Sequence, residues 1–588
     1  MSSKTLLSAP LRTDYPSLGQ RIVFRLKVTG LQLRRAWQNR CHQSIHRHPQ
    51  ALTLIDYPIL ATSKTPLWTS EAAQESRWIA GKIQNLRVAL QDLNGIEIPK
   101  SGIFSFWAQI GQPTRRNGYV EGRELRQGCL IPSVGGGLCQ LSNALYSIAL
   151  ETGFEILERH AHSQVIPGSL AEVGRDATVF WNYVDLRFRV PENTRIEAYL
   201  SATDLVVQVR SSQTPHPSPT SSSTKDAQVR SWVDATHHCD ACNVSGCSRS
   251  TPQLRTKRML RTAYLVDEYW PEFDHYIQAH RQDQDWLMLP LPGKNWKKAN
   301  YAWNTQGFAT VKSATWQTLQ RSLASRHLPV QGKSRQEQLL RNTQRLAEQY
   351  VAWAEYDITH VVVMQHLLPF LWQTGVLAGR TFDVLMTRLS LSTLQKRLDV
   401  LAQRYPQSPT LADFRADQRL LELEHQALRA ARQLITPHSE IAQQYPDKIV
   451  RLNWSLPQTQ GLVISGNIIL FPAPTLGRKG AYELRDVLKT LNLSVSILGA
   501  ELEGDCFWEG LSVQKFQGNL FQKVGVVVLP AHIEHHPRLL LRAIAQGIPV
   551  IASAACGLQG VAEVITIPTG DISALGQALA ELTQTRAS

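Results

Sequence analysis

Residues 134–142 read Val-Gly-Gly-Gly-Leu-Cys-Gln-Leu-Ser, a glycine turn that runs directly into a helical pattern. On a helical wheel, one face of this helix holds the apolar residues Leu138, Leu141, Leu145 and Ile148. The opposite face holds Cys139, Ser142, Asn143 and Tyr146. Gly153 is expected to end the helix. The stretch therefore predicts a half-buried helix with a cysteine on the polar side of its first turn.

A cysteine at the start of a helix is a candidate nucleophile, because unpaired amides and the helix dipole stabilise its thiolate. Histidines and aspartates follow Cys139 along the chain and supply a base and a group to orient it: His160, His162, Asp176 and Asp185. An anion-binding loop of backbone amides is predicted at Gly135, Gly136, Gly137 and Gln140. The alternative is a cysteine packed against a glycine turn, with histidines that have structural hydrogen bonds.

Several segments in order resemble the VanW family, which is named for an accessory protein of vancomycin-resistance clusters. The segments are Gly102–Phe106, Asn117–Tyr119, Val134–Ser142, Glu158–His160, His162–Ser163, Gly174–Val179 and Asp185–Leu186. The resemblance spans Ile59 to Arg210 and implies an α+β domain associated with the bacterial envelope. The order of cysteine, histidine and aspartate is also similar to that of transglutaminase-like and papain-type enzymes, although the cysteine-to-histidine interval is short for that fold.

Two interpretations of this domain follow. In the first, Cys139 attacks an acyl carbonyl of a cell-wall or surface glycoconjugate precursor, and a histidine takes and returns the proton. In the second, the protein is a non-catalytic accessory factor that recognises peptidoglycan or glycan precursors.

A linker follows the domain, because residues 211–225 are almost entirely Ser, Thr and Pro. Beyond the linker, histidines and cysteines cluster at His237, His238, Cys239, Cys242 and Cys247. Three thiolates and one imidazole would complete a tetrahedral zinc site, so the cluster predicts bound zinc. The alternative is a set of free thiols in the linker.

The second half of the chain alternates apolar strand-like runs with helical periodicity, which predicts a parallel α/β architecture. The runs begin at Thr262, His360, Asn467, Ser494 and Val526, whereas Leu411–Ile435 shows helical periodicity with no strand signal. Residues 467–580 resemble the nucleotide-binding half of a GT-B glycosyltransferase of the retaining, sucrose-synthase-like group. The resemblance implies two Rossmann-like halves and a nucleotide-sugar donor.

The donor pocket departs from the pattern that this resemblance implies. Lys479 and Glu534 fit the cation and the first glutamate of that pattern, and Arg478 is a substitute for an arginine whose usual position holds Pro474. Arg542 stands where a second glutamate would accept hydrogen bonds from ribose hydroxyls, which an arginine cannot do. The module is therefore expected either to transfer a sugar with an altered pocket or to bind without turnover.

The N-terminal segment is strongly basic, with no Asp or Glu between Pro16 and Gln50. Its arginines and lysine are interleaved with Leu, Ile, Val, Phe and Trp, a pattern that suits an anionic membrane face. The alternative is a basic helix with a solvated outer face and a packed inner face.

The 588 residues are thus expected to form five segments. These are a basic segment (1–50), a VanW-like α+β domain (51–210), a linker with the Cys/His cluster (211–257) and the two halves of the α/β module (258–452 and 453–588). The formal charge of +14 suits an anionic partner, but the chain has no nucleic-acid-binding motif, which disfavours that partner. With no apparent export signal or membrane span, a cytoplasmic location, peripheral to the inner membrane face, is expected.

Overall fold

The computed structural model divides the chain into two compact units. The first contains Met1–Leu260 with Ala378–Arg380, and the second contains Arg261–Leu377 and Thr381–Ser588. The structure describes residues 18–41, 45–68, 73–126, 129–162, 164–165, 170, 172–212, 231–232, 261–325, 332–412, 415–458, 466–516 and 521–584.

The described part of the first unit has four helices and eleven strands. In chain order they are α1 (Leu18–Cys41), β1 (Ile59–Pro66), α2 (Ala73–Leu93), β2 (Ile96–Ile98), β3 (Ile103–Ser105), α3 (Phe106–Ile110), β4 (Glu121–Arg126), β5 (Cys129–Val134), α4 (Cys139–Glu151), β6 (Glu155–Glu158), β7 (Gln164–Val165), β8 (Arg187–Arg189), β9 (Thr194–Leu200), β10 (Asp204–Ser211) and β11 (Ser231–Trp232).

Two antiparallel sheets and a hairpin enclose the core of the first unit. The larger sheet has the order β1-β10-β9-β2, the smaller has the order β3-β8-β6, and β4 pairs with β5. The predicted apolar face of α4 lies in the core, where Leu141, Leu145 and Ile148 are fully buried. The helix ends at Glu151, and Gly153 takes the left-handed conformation (φ 71°) that ends such helices. The predicted α+β class is thus confirmed.

The first half of the second unit is a seven-stranded parallel sheet of order β14-β13-β12-β15-β16-β17-β18. Its elements are β12 (Arg261–Leu265), α5 (Pro271–His280), β13 (Trp286–Leu289), β14 (Thr310–Ser313), α6 (Thr315–Ser325), α7 (Lys333–Trp353), β15 (Ile358–Met364), α8 (Leu368–Gln373), β16 (Thr381–Leu385), α9 (Leu391–Arg404), α10 (Gln418–Ala430), β17 (Gln433–Thr436), α11 (Ser439–Gln443) and β18 (Ile449–Arg451).

The second half is a six-stranded parallel sheet of order β21-β20-β19-β22-β23-β24. Its elements are β19 (Ile468–Phe471), α12 (Ala481–Leu491), β20 (Val495–Ile497), β21 (Val513–Lys515), β22 (Val524–Leu529), α13 (Arg538–Ala545), β23 (Val550–Ser553), β24 (Val564–Ile567) and α14 (Ile572–Gln584). Each sheet has its own apolar core, so the predicted pair of Rossmann-like halves is confirmed.

One secondary-structure prediction was wrong. The stretch Leu411–Ile435 was expected to lack a strand, but its last residues begin β17. This strand is only four residues long, and Leu434 and Ile435 are fully buried between β16 and β18. A short apolar run buried on both faces has no alternation to separate it from the end of a helix.

Two other predictions concern residues outside those described. These residues include most of the Ser/Pro linker and the whole cluster of His237, His238, Cys239, Cys242 and Cys247. The zinc prediction therefore stays a prediction. Among the described residues, no helix is both long enough and apolar enough to cross a membrane.

The glycine turn before α4 is determined by packing, which gives a test of the fold. A methyl group at Gly136 would lie 2.5 Å from the carbonyl carbon of Gly122 in β4, and neither backbone can move easily. We expect Gly136→Ala to destabilise the region around β4, β5 and α4 by about 2 to 3 kcal/mol, as overpacking does. Hydrogen exchange of α4 amides, followed by mass spectrometry in the full chain, measures this loss.

Gly174→Ala is the matched control. No atom lies within 4 Å of a methyl group at Gly174, although its φ of 78° is unfavourable for alanine. Its cost should therefore be limited to backbone strain of roughly 1 kcal/mol. Equal protection of α4 in wild type and Gly136→Ala would contradict the packing described here.

Candidate functional site

Cys139 is the first residue of α4, directly after the glycine turn. Gly135 and Gly137 have φ values of 81° and 94°, which favour glycine, and Gly136 lies against β4. The turn thus brings the chain out of β5 and into α4 within four residues. The Cys139 thiol is half-buried at the edge of the core.

The polar face of α4 binds the chain segment that contains Asp176. Ser142 Oγ donates to the Ala177 carbonyl at 2.5 Å, and the Ala177 amide donates to Asn143 Oδ1 at 2.8 Å. Both side chains are buried. The residues that were predicted to make this face polar therefore fix the position of Asp176 relative to the helix that begins with Cys139.

Asp176 is fully buried and accepts two hydrogen bonds from His162. The His162 ring lies with Nδ1 2.5 Å from Asp176 Oδ1, and the His162 amide donates to Oδ2 at 2.6 Å. A third connection joins the same two segments, because the Thr178 amide donates to the His160 carbonyl at 2.8 Å. Asp176 thus fixes both the position and the tautomer of the His162 ring, and leaves Nε2 for another partner.

Cys139 interacts with the same imidazole ring, because Cys139 and His162 each shift the pKa of the other. Thr178 Oγ1 also lies 3.9 Å from the sulfur. Burial alone would raise the pKa of the Cys139 thiol, but the hydrogen bond and charge of His162 outweigh it and lower the pKa. Burial alone would lower the pKa of His162, yet Asp176 and Cys139 raise it to about 10. The interaction thus shifts both groups toward their charged forms, the thiolate and the imidazolium.

Two of the predicted catalytic residues lie outside this arrangement. The His160 side chain is half exposed and its nearest acidic group is Glu158, with Nε2 and Oε1 3.5 Å apart. Asp185 accepts hydrogen bonds from Ser105 Oγ at 2.6 Å and from Arg187 Nε at 2.8 Å. The structure thus assigns His160 to the surface and Asp185 to the junction of β3, α3 and β8.

The predicted anion loop also needs correction. The Gly135 amide donates to the Val120 carbonyl and the Gly136 amide to the Ser133 carbonyl, so neither is available to a ligand. Gln140 uses its side-chain amide on Thr65 Oγ1, 2.9 Å away. The backbone bonds described at this turn involve neither the Gly137 amide nor the Cys139 amide, and the latter lies in the first turn of a helix, where it has no intrahelical acceptor.

Sequence reasoning missed Lys82, which lies in α2 beneath the glycine turn. A methyl group at Gly137 would lie 2.2 Å from Lys82 Cγ, so the lysine stem fills the space that glycine leaves open. Burial, with a smaller effect of Arg123, lowers the pKa of Lys82 to about 7. No sequence signal marks this lysine, because α2 is distant from Gly137 along the chain.

The second unit brings together two of the predicted donor-binding residues. Lys479 Nζ lies 2.7 Å from Glu534 Oε2, between the carboxyl ends of the adjacent strands β19 and β22. The crossovers run in opposite directions from this point of the sheet, which is where open parallel sheets bind ligands. Burial would raise the pKa of Glu534, but the charge and hydrogen bond of Lys479 lower it.

The other two donor-binding candidates differ from this pair. The backbone carbonyl of Arg478 accepts bonds from the amides of His532 and Ile533, which joins the two strand ends. Arg542 lies on the exposed side of α13.

In the described part of the chain, no group of three or more His, Cys, Asp or Glu residues is arranged to hold a metal ion.

The first unit therefore belongs to the class of α+β domains with a Cys-His-Asp arrangement at the start of a helix. Residues 81–210 match the family model described as VanW like protein, and they form a VanW-like domain. This match confirms the predicted resemblance over that range.

Two curated relatives align with part of the first unit. Vancomycin B-type resistance protein VanW of Enterococcus faecalis is 31% identical over 128 residues, which are 21% of this chain and 46% of that protein. Uncharacterized protein YoaR of Bacillus subtilis is 32% identical over 112 residues, which are 19% of this chain and 36% of that protein. The chain thus spans less than half the length of either relative.

Solved glycosyltransferase structures are among those similar to this chain. Sucrose-phosphate synthase from Thermosynechococcus elongatus is 15% identical, with a TM-score of 0.36, and the match covers 56% of this chain and 90% of that one. HepE from Anabaena, solved with UDP and glucose, is 14% identical, with a TM-score of 0.33 and coverage of 56% and 90%. Both matches are remote, so no activity follows from them.

The Cys139 pair predicts an unusual pH profile of alkylation. At pH 6, iodoacetamide should label Cys139 faster than the exposed Cys506, because the lowered pKa raises the thiolate fraction of Cys139. The buried Cys556 should react slowest, since burial raises its pKa to about 12. Reactivity of Cys139 should extend to lower pH than that of an ordinary thiol and change again near pH 10, where His162 loses its proton. Peptide mass spectrometry of the intact chain after timed labelling measures each rate.

Two variants test whether His162, rather than simple exposure of Cys139, sets the rate of labelling: one changes Asp176 and the other changes His160. Asp176→Asn removes the charge that favours the imidazolium, so it should slow labelling of Cys139 at pH 6 by about tenfold. His160→Gln should leave the rate unchanged. The same rate for Cys139 and Cys506 at pH 6 in the wild type would show that His162 does not activate the thiol.

Proposed function

We propose that the first unit is a thiol-dependent enzyme that transfers or hydrolyses acyl groups. The observation that carries this proposal is the connected arrangement of Cys139, His162 and Asp176 at the edge of the core. Cys139 as a residue is half-buried and the His162 side chain is 19% exposed, whereas Asp176 is fully buried. Acyl transfer of this kind requires a nucleophile, a base and a group that orients the base.

The reaction begins from the thiolate and the imidazolium, the forms that the shifted pKa values of Cys139 and His162 favour. The Cys139 sulfur attacks an acyl carbonyl, and His162 gives its Nε2 proton to the leaving amine or alcohol as the acyl–heteroatom bond breaks. The product is a thioester on Cys139. His162, now neutral, accepts a proton from water or from an acceptor amine as that nucleophile attacks the thioester, and the thiolate leaves. Asp176 holds the ring throughout by accepting a hydrogen bond from Nδ1 of His162.

The backbone at the start of α4 is suited to stabilising the oxyanion. The Cys139 amide and the positive end of the α4 dipole both lie beside the attacking sulfur. Since the Gly135 and Gly136 amides are bonded to backbone carbonyls, stabilisation rests on fewer donors than the glycine sequence suggested.

The substrate class is an amide or ester of a cell-wall or surface glycoconjugate precursor. Support for this part of the proposal comes from the relative named for vancomycin B-type resistance, whose name refers to a drug that acts on the cell wall. The alternative is an accessory protein that binds such precursors without turnover. Both versions place the precursor against Cys139, and they differ in whether a thioester forms.

Turnover of peptidoglycan stem peptides and their ester analogues tests the catalytic version. Cys139→Ala should abolish product formation, and Asp176→Asn should lower kcat by about 100-fold or more, because the ring loses its orienting carboxylate. His160→Gln should retain wild-type kcat. Intact-mass analysis after rapid quenching should show an acyl adduct on wild type that is absent from Cys139→Ala.

Binding without an adduct would favour the accessory version. If wild type and Cys139→Ala bind the same stem peptide with equal affinity and neither forms an adduct or product, the acyl-transfer proposal is wrong.

For the second unit we propose binding of a nucleoside diphosphate, the common part of nucleotide-sugar donors. Lys479 lies before the N-terminus of α12, where backbone amides and the dipole favour phosphate, and Glu534 holds its ammonium in place. Whether sugar transfer follows depends on the acceptor side. Exposure of Arg542 on α13 supports a donor pocket that differs from the one the resemblance implied.

Isothermal titration of the full chain with UDP, ADP and GDP tests this site. Lys479→Ala should weaken binding about tenfold, as loss of a charged hydrogen bond to phosphate does. Glu534→Gln should strengthen binding, because Lys479 then has no competing carboxylate. Lys489→Ala removes an exposed charge from the same helix and should have no effect. Equal affinities for all four proteins, or no binding of any nucleotide, would contradict the proposal.

A further inference from the structure

Helix α1 exposes large apolar side chains along one face. Leu26 and Leu33 are each 66% exposed, and Trp37 is 69% exposed. These residues occupy positions i, i+7 and i+11, which lie on the same side of a helix. A surface helix normally turns such residues toward the core.

The opposite face of α1 attaches to the first unit through polar groups. Gln32 Nε2 donates to the Trp181 carbonyl at 2.8 Å, and Arg187 Nη2 donates to Asn39 Oδ1 at 2.7 Å. Arg35 forms an ion pair with Glu158. For the apolar residues the expected arrangement is therefore reversed, because they face outward together with the basic residues Lys27 and Arg34.

This reversal leaves the apolar face available to a partner, and the charge of the segment indicates which kind. Lys27 and Arg34 are exposed beside the apolar residues, and the chain from Pro16 to Gln50 contains no carboxylate side chain. An apolar face with a tryptophan and flanking cations fits the interface of an anionic bilayer, where tryptophan and the stems of basic residues are most favourable.

We propose that α1 docks the protein on an anionic lipid surface through Leu26, Leu33 and Trp37, with Lys27 and Arg34 contacting lipid phosphates. A protein partner would be expected to pair the cations with carboxylates in fixed positions, whereas a lipid surface requires only a band of positive charge. The docking does not depend on the proposed chemistry of Cys139.

The attachment points of α1 give this docking a consequence for the site. Glu158 ends β6 and precedes the segment that leads to His162, and Trp181 follows the segment that contains Asp176 and Thr178. A lipid surface bound to the apolar face of α1 therefore has only this helix between it and the two segments that build the Cys139 arrangement. This proximity suits substrates that are attached to lipid.

Vesicle flotation with the full chain tests the docking. Wild type should float with vesicles of equal parts phosphatidylcholine and phosphatidylglycerol, should float poorly with phosphatidylcholine alone, and should lose binding in high salt. Trp37→Ser should reduce the partition coefficient about tenfold, since burial of an aromatic side chain is worth more than one factor of ten. Lys27→Gln with Arg34→Gln should reduce binding only to the anionic vesicles.

Trp316→Ser is the matched control, because Trp316 is 70% exposed on α6 of the second unit. It should float as wild type does. Equal flotation of Trp37→Ser and wild type, or no flotation of wild type with anionic vesicles, would overturn the proposal. A dimer that requires Trp37 and forms without lipid in sedimentation velocity would also overturn it, because the face would then bind a second copy of the chain.

Discussion

A buried carboxylate requires donors for both oxygens, and Asp176 obtains them from the ring and the amide of His162. The same carboxylate is positioned by α4, because Ser142 and Asn143 bond to both backbone groups of Ala177. One helix thus presents the thiol at its first residue and positions, through its polar face, the group that orients the histidine. Loss of either bond to Ala177 would alter the Cys139 geometry without any change to the three residues themselves.

The start and faces of α4 could be predicted from the sequence, because helical periodicity and a glycine turn are local signals. The choice of His162 over His160, and of Asp176 over Asp185, could not. Each pair is similar in sequence context, and the difference arises from contacts with α4 and with the junction of β3, α3 and β8. Tertiary contacts between distant segments decide these roles, and local sequence patterns do not reveal such contacts.

The glycine loop shows a different limit of sequence reasoning. Three glycines suggested free amides, but two of those amides are bonded to Val120 and Ser133. Close approach to β4 and to the Lys82 stem explains the glycines without a ligand. In the second unit, by contrast, Lys479 and Glu534 were predicted separately and meet at the ends of adjacent strands, because parallel topology itself brings strand ends together.

The resting charge state of Cys139 also has a chemical liability. Thiolates react with peroxide far more readily than thiols, first giving a sulfenic acid that a second thiol converts to a disulfide and that excess oxidant converts irreversibly to a sulfinic acid. The neighbour of the sulfur described here is Thr178, which has no thiol to rescue the first oxidation product. The interaction that lowers the pKa of Cys139 therefore also makes its sulfur more sensitive to oxidation.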